Sequence, residues 1–120
     1  LGGAKALNGD QERLLYQDKQ LKIVMRFAPQ APAVALVGEV DATNSAALAR
    51  TLAGLRESGC PLDVDTGELT FVDLSGMRVL ALPALPAAER WIRLLNVTPF
   101  QQRMLRMMGW FYEPHPADRP

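Results

Sequence analysis

From Gln20 to Phe27 the apolar side chains fall on every second residue. Leu21, Ile23, Met25 and Phe27 alternate with Gln20, Lys22, Val24 and Arg26. A period of two predicts a strand with one buried face. Pro29 and Pro32 interrupt it, because proline lacks the N–H that a ladder needs. Val34-Ala35-Leu36-Val37 is a continuous apolar run, the mark of a strand covered on both faces, and a hairpin joining the two strands is the economical arrangement. Gly38-Glu39-Val40-Asp41 ends the second strand, and there the period changes. Ala42-Thr43-Asn44-Ser45 offers three candidate caps in a row. Leu48, Leu52 and Leu55 form the apolar stripe of a first helix, which Ser58-Gly59 closes. Leu62-Asp63-Val64-Asp65 is the next strand, expected to lie parallel to its neighbour through a right-handed crossover. A polar loop leads into a second helix near Ser75, with Met77, Leu80, Ala81 and Ala84 on one face; Pro83 and Pro86 force it to kink or restart. Trp91-Ile92-Arg93-Leu94-Leu95 reads as the final strand. Thr98-Pro99 opens a third helix whose apolar face is Phe100, Met104, Met107 and Met108; Gln102, Arg103 and Arg106 stay outside, and Gly109 ends it.

The order ββαβαβα predicts an α/β fold: a mixed four- to five-stranded sheet with helices mainly on one face. Residues 1–18 read as a flexible tail or linker, with one short helical turn near Gln11–Tyr16. Residues 19–112 read as the domain, against which Trp110-Phe111-Tyr112 is expected to pack, and 113–120 as a polar, Pro-rich tail. The start at Leu1 rather than Met fits a piece excised from something longer.

Composition changes this picture mainly by exclusion. The 120 residues suffice for one domain with a single core, and 48% hydrophobic against 22% charged residues is a globular balance. Thirteen Lys and Arg offset thirteen Asp and Glu, so the basic excess of a general nucleic-acid or membrane-surface binder is missing. One Cys excludes an internal disulfide and, with one His, argues against a Cys/His metal site; it fits a reducing compartment, hence a cytoplasmic expectation. No apolar run approaches the roughly 18 residues of a membrane span. Cys60, in a Gly59-Cys60-Pro61 turn without a nearby His, reads as a small apolar filler, and His115 between two prolines as solvated. The Gly-rich phosphate loop and the base–nucleophile pair are both missing, so neither a cofactor nor catalysis is expected.

The candidate chemistry gathers at the second helix start. Asp73 and Ser75 can cap unpaired N–H groups there, and Gly76 just inside the helix allows a close approach. Asp41, Asp65 and Asp73 each follow a strand, which would bring three carboxylates to one sheet rim. Three readings stay open: helix caps and turn acceptors, a protein-binding edge, or a Mg²⁺ or nucleotide edge. Asp63, inside a strand, either faces a partly wet cavity or helix edge or finds a basic partner, and the second is preferred.

The ordered elements, with Gly38-Glu39-Val40-Asp41 and Asp65…Phe71-Val72-Asp73-Leu74-Ser75-Gly76-Met77, resemble the STAS domain family, shared by sulfate transporters and bacterial anti-sigma factor antagonists. The similarity runs from about Lys19 to Tyr112. It implies a regulatory, non-enzymatic protein-interaction module of bacterial signalling. The implied partner is an anti-sigma factor with serine kinase activity, or another domain of the same chain. The corresponding rim here comprises Asp41, Asp73, Leu74, Ser75, Gly76 and Met77. In partner-switching members the hydroxyl residue right after the loop aspartate is phosphorylated. Leu74 stands there in this chain, and Ser75 occupies the next position, which leaves Ser75 as the candidate phosphorylation residue and as a helix cap. The alternative is a ligand-sensing domain for a nucleotide or small apolar molecule.

Overall fold

The computed structural model describes residues 12–27 and 32–109. Five strands, β1 (Glu12–Gln17), β2 (Leu21–Arg26), β3 (Ala33–Val40), β4 (Leu62–Val72) and β5 (Ile92–Leu95), form one sheet in that spatial order. The first three pair antiparallel; β3 with β4 and β4 with β5 pair parallel. The expected hairpin and the parallel neighbour are both present. Helices α1 (Ser45–Ala53), α2 (Leu74–Ala81) and α3 (Pro99–Met107) complete the α/β fold, with a short 3₁₀ turn at Ala87–Glu89.

One face of the sheet carries the core. Leu21 and Ile23 of β2, Val34, Leu36 and Val40 of β3, and Val64, Leu69 and Val72 of β4 pack with Leu48 and Leu52 of α1, Met77 and Leu80 of α2, and Leu105 of α3. Each such leucine contributes about 1.5–3 kcal/mol by leaving water. The opposite face is polar around a small apolar centre: Val24 and Ala35, directly paired, are buried there. Arg26 spans this face, bonding Glu12 at 2.9 Å and also Glu68. Asp63 receives two bonds from the Arg93 guanidinium across the β4–β5 ladder, at 2.6 and 2.9 Å, so the basic partner that its place in a strand required is Arg93.

Several local expectations are corrected. Glu12–Gln17 is a strand rather than a tail with a helical turn; Leu15 and Tyr16 pack against the core, and the ladder slips at Leu14/Tyr16. β4 does not stop at Asp65 but continues to Val72, with irregularities opposite Ala35–Glu39. Its polar stretch is tolerable because Thr66 is satisfied by Gln101 and the Gly67 N–H by Asp65. α1 ends at Ala53, and Gly54 is its C-cap, earlier than Ser58-Gly59. α2 stops at Ala81, where Leu82 turns left-handed (φ 51°) ahead of Pro83, so Ala84 is exposed outside it. On α3 the apolar face is turned: Phe100 and Met107 are exposed, Met107 at 87%, while Gln101 and Leu105 are buried and Met104 and Met108 flank them. Cys60 is exposed rather than filling the core. The Pro29 loop, Trp110-Phe111-Tyr112 and the 113–120 tail lie outside the described residues. No described helix is long and apolar enough to cross a membrane.

Candidate functional site

The parallel pairing of β3 and β4 decides where the site lies. Val40 sits opposite Val72, and the Asp73 N–H donates to the Val40 carbonyl at 3.1 Å, so both strands end at the same edge. Asp41 and Asp73, far apart in sequence, thereby leave the sheet side by side. Asp65, expected with them, lies mid-strand instead, bonded to the Gly67 N–H and the Asn96 amide.

Asp73 is the N-cap of α2. One of its oxygens accepts from the Gly76 N–H at 3.1 Å and from the Ser75 hydroxyl at 2.6 Å. A capping carboxylate at this end is also favoured by the helix dipole. Leu74, the first helical residue, points outward and is 44% exposed. Ser75 is half-buried, with its hydroxyl engaged as a donor. Gly76 is buried: a Cβ there would stand 2.7 Å from a methyl of Val40 and of Val72, so its lack of a side chain seats the helix on the two strand ends. Met77 is wholly buried in the core and presents nothing to the rim surface. Of the six expected rim residues, then, Asp41, Asp73, Leu74 and Ser75 reach the outside, and Gly76 and Met77 support them from beneath.

Asp41 is held by its own turn. Its carboxylate accepts from the Thr43 hydroxyl and N–H and from the Gln20 amide at 3.2 Å, and these bonds, Thr43's hydroxyl first, hold its carboxyl below the usual value. Asp18 is lowered in the same way by the Tyr16 hydroxyl and the Gln20 N–H. Both carry full negative charge at neutral pH. Asn44 makes no side-chain cap for α1; buried, it accepts from the Asp41 N–H and donates to the Glu39 carbonyl, fixing the turn from below.

The sequence reading missed Phe71, Gln20 and Thr43 as parts of this rim. Phe71 pairs with Glu39 at the β3–β4 edge and is 46% exposed. Gln20 is brought over by the antiparallel ladder, and Gly38 makes this possible: at φ +114° a Cβ would stand 2.1 Å from the Gln20 carbonyl oxygen. Among the described residues no group of three or more Cys, His, Asp or Glu is arranged to hold a metal ion. A surface cleft of about 350 Å³ lies elsewhere, where Trp91 and Arg90 face Arg56 and Cys60; Arg56 sits 5.1 Å from the Trp91 ring centre.

Comparison with known proteins places this geometry. A family model described as "Mlab, STAS domain" matches residues 23–111, most of the chain. The solved structure of the anti-sigma factor antagonist SpoIIAA in its unphosphorylated form superimposes with a TM-score of 0.55 at 17% identity, covering 78% of this chain and 89% of that one. No curated protein matches the chain in sequence. The mixed sheet, the capped loop after its fourth strand and the family match converge: the chain belongs to the STAS domain family.

Proposed function

We propose that this domain is a regulatory protein-binding module that works without catalysis, docking a partner on the rim formed by Asp41, Asp73, Leu74 and Ser75. The observation that carries the reading is Leu74. Leu74, at the first position of a helix capped by Asp73, is 44% exposed, which sets an apolar side chain in solvent among polar groups and supports a contact at this point. The structurally similar SpoIIAA is an anti-sigma factor antagonist; together with the family resemblance, this makes an anti-sigma factor with kinase activity, in a bacterial cytoplasm, the first partner to test. Another domain of the same chain is the second.

Regulation by phosphate would work differently here from a switch on the residue after the loop aspartate, because Leu74 offers no hydroxyl. Ser75 has one, but it donates to Asp73 at 2.6 Å. A phosphate there would replace that donated bond with repulsion between like charges. The domain is therefore read as a constitutive binder.

The test is a pull-down with the wild-type domain and Leu74→Asp, with mass spectrometry of bound proteins and of the bait. Recovery of one partner by wild type alone, with Ser75 unmodified, is the expected outcome. A variant that keeps every partner of the wild type would remove the rim from consideration.

A further inference from the structure

At the other end of β4 lies a cleft that the rim does not use. There β4 and β5 start side by side, Leu62 opposite Ile92, and the Leu62 N–H donates to the Trp91 carbonyl at 2.7 Å. That bond draws together the two segments that lead into the strands. One is the tight turn Glu57–Cys60, closed by the Cys60 N–H on the Glu57 carbonyl, with Gly59 at φ +82°. The other is the 3₁₀ turn Ala87–Glu89, which continues into Arg90 and Trp91. Between them is the hollow of about 350 Å³. At roughly 30 Å³ per water this is the room of about a dozen waters, enough for a small organic molecule. β4 is eleven residues long, which sets the cleft roughly 30 Å along the strand from the rim.

The walls carry two charges of each sign. Arg56 and Arg90 are both anchored, but neither by an acid. The Arg56 guanidinium lies over the Trp91 ring at 5.1 Å from its centre, and the Arg90 Nε donates to the Leu85 carbonyl at 3.1 Å. Glu57 and Glu89 line the same cleft. Among the described residues, none of these four pairs with an opposite charge, although they share one hollow. A ring face and a carbonyl fix a guanidinium while leaving its other N–H donors for an incoming carboxylate. The two glutamates offer acceptors for an ammonium group and repel a ligand that is only anionic. Trp91 supplies an apolar wall.

We infer that this cleft binds a small zwitterion, an α-amino acid with an apolar side chain. Its carboxylate meets Arg56 and Arg90, its ammonium meets Glu57 or Glu89, and its side chain lies along Trp91. Such a ligand brings each unpaired charge its complement without adding net charge to a locally neutral site. The domain thereby gains a small-molecule site that shares no residue with the rim.

The test follows amide and indole N–H shifts of the 120-residue chain while L-leucine, L-methionine and L-phenylalanine are added one at a time. At least one should bind with a Kd of about 1 mM or below. The shifts should centre on Arg56, Glu57, Arg90 and the Trp91 indole and leave Leu74 and Ser75 unmoved. For that amino acid, the carboxamide and the des-amino acid (L-phenylalaninamide and 3-phenylpropanoate in the case of phenylalanine) should each bind at least about tenfold more weakly, because each lacks one of the two charges. Arg56→Gln and Glu57→Gln, both at exposed positions and so expected to fold normally, should each weaken the amino acid about tenfold. Arg103→Gln, outside the cleft, should leave its affinity intact. Binding by none of the three amino acids, or shifts that avoid the cleft, overturns the inference. A des-amino acid that binds as tightly as the amino acid reduces the cleft to a plain anion site and overturns it too. So does adenosine monophosphate if it binds there more tightly than all three. The rim reading stands or falls separately, on the Leu74→Asp pull-down.

Discussion

Two helix starts in this domain use the same capping chemistry to opposite ends. At α3 the cap is Thr98, whose hydroxyl accepts from the Gln101 N–H at 3.2 Å while the Gln101 side chain accepts from the Thr98 N–H at 3.0 Å. Gln101 then turns inward. Its oxygen also accepts from the Thr66 hydroxyl at 2.7 Å, and its amide donates to the Thr66 carbonyl at 2.9 Å, which latches the helix to the middle of β4; among the described residues no buried side-chain nitrogen or oxygen lacks a partner. At α2 the cap is Asp73, but the third helical residue is Gly76, and Leu74, right after the cap, faces water. The first start is closed on itself and fastens a helix. The second is completed only in part by its own chain, and the unspent surface, Leu74 above all, faces outward. Similar caps therefore do not mean similar roles. What the next turn of helix buries decides.

The sharpest way to test this contrast is at Gln101. Gln101→Ala removes the latch and leaves the Thr66 hydroxyl only the Leu95 carbonyl at 3.4 Å, with an expected loss of about 2 kcal/mol in chemical denaturation, since weakened buried hydrogen bonding costs about 1–3 kcal/mol and the capping box is lost as well. A loss under about 0.5 kcal/mol would mean that the latch is incidental. At the other start, Gly76→Ala has two opposing effects. Alanine gains about 1 kcal/mol of helix propensity, but its Cβ collides with branched, stiff Val40 and Val72, and overpacking costs about 1–3 kcal/mol. The expected net is a loss of about 1 kcal/mol, with weakened binding as the α2 start is pushed off the sheet. Removing the cap itself has an effect of similar size: Asp73→Ala should lower stability by about 1 kcal/mol. If it costs as much as Gln101→Ala, the two starts are energetically alike and the distinction fails.

Acid gives the smallest effect. The folded-state values of Asp18 and Asp41 are depressed, so their contribution is fully present above the ordinary aspartate value of 3.8 and is lost as pH falls through the lower folded values. The melting temperature should stay level through neutral pH and drop only in the strongly acid range, less steeply in Asp41→Asn. Both groups are solvent-exposed, which keeps the effect small.

The fold was largely legible because its central elements obey simple periods. Alternation found β2, the apolar run found β3, and Thr98-Pro99 found the start of α3. β1 escaped because an edge strand buries only Leu15 and Tyr16, each partly, which leaves too few apolar positions to show a period. The far half of β4 escaped because a polar Thr66 and a Gly67 read as loop until Gln101, thirty-five residues away, is known to satisfy the threonine. The same glutamine misled the reading of α3, where a buried amide takes a place that an apolar residue was expected to fill. At the rim, Asp73 and Ser75 were readable from capping rules, whereas Leu74 was singled out through the family resemblance. Met77 belonged with Leu80 and Ala81 on the buried stripe, as helical spacing alone implies, and it joined the surface list only through its neighbours.

The parallel neighbours β3 and β4 carry a further consequence, in the order of folding. The hairpins β1–β2 and β2–β3 close short loops and can form early, whereas β4 can join β3 only after α1 has been threaded across the sheet. The rim has one lip on each of these two strands. It is therefore assembled among the last features of the domain, and a chain caught before β4 docks has core residues to shield but nothing with which to engage a partner. If the rim docks a partner as proposed, binding would report that β3 and β4 have paired.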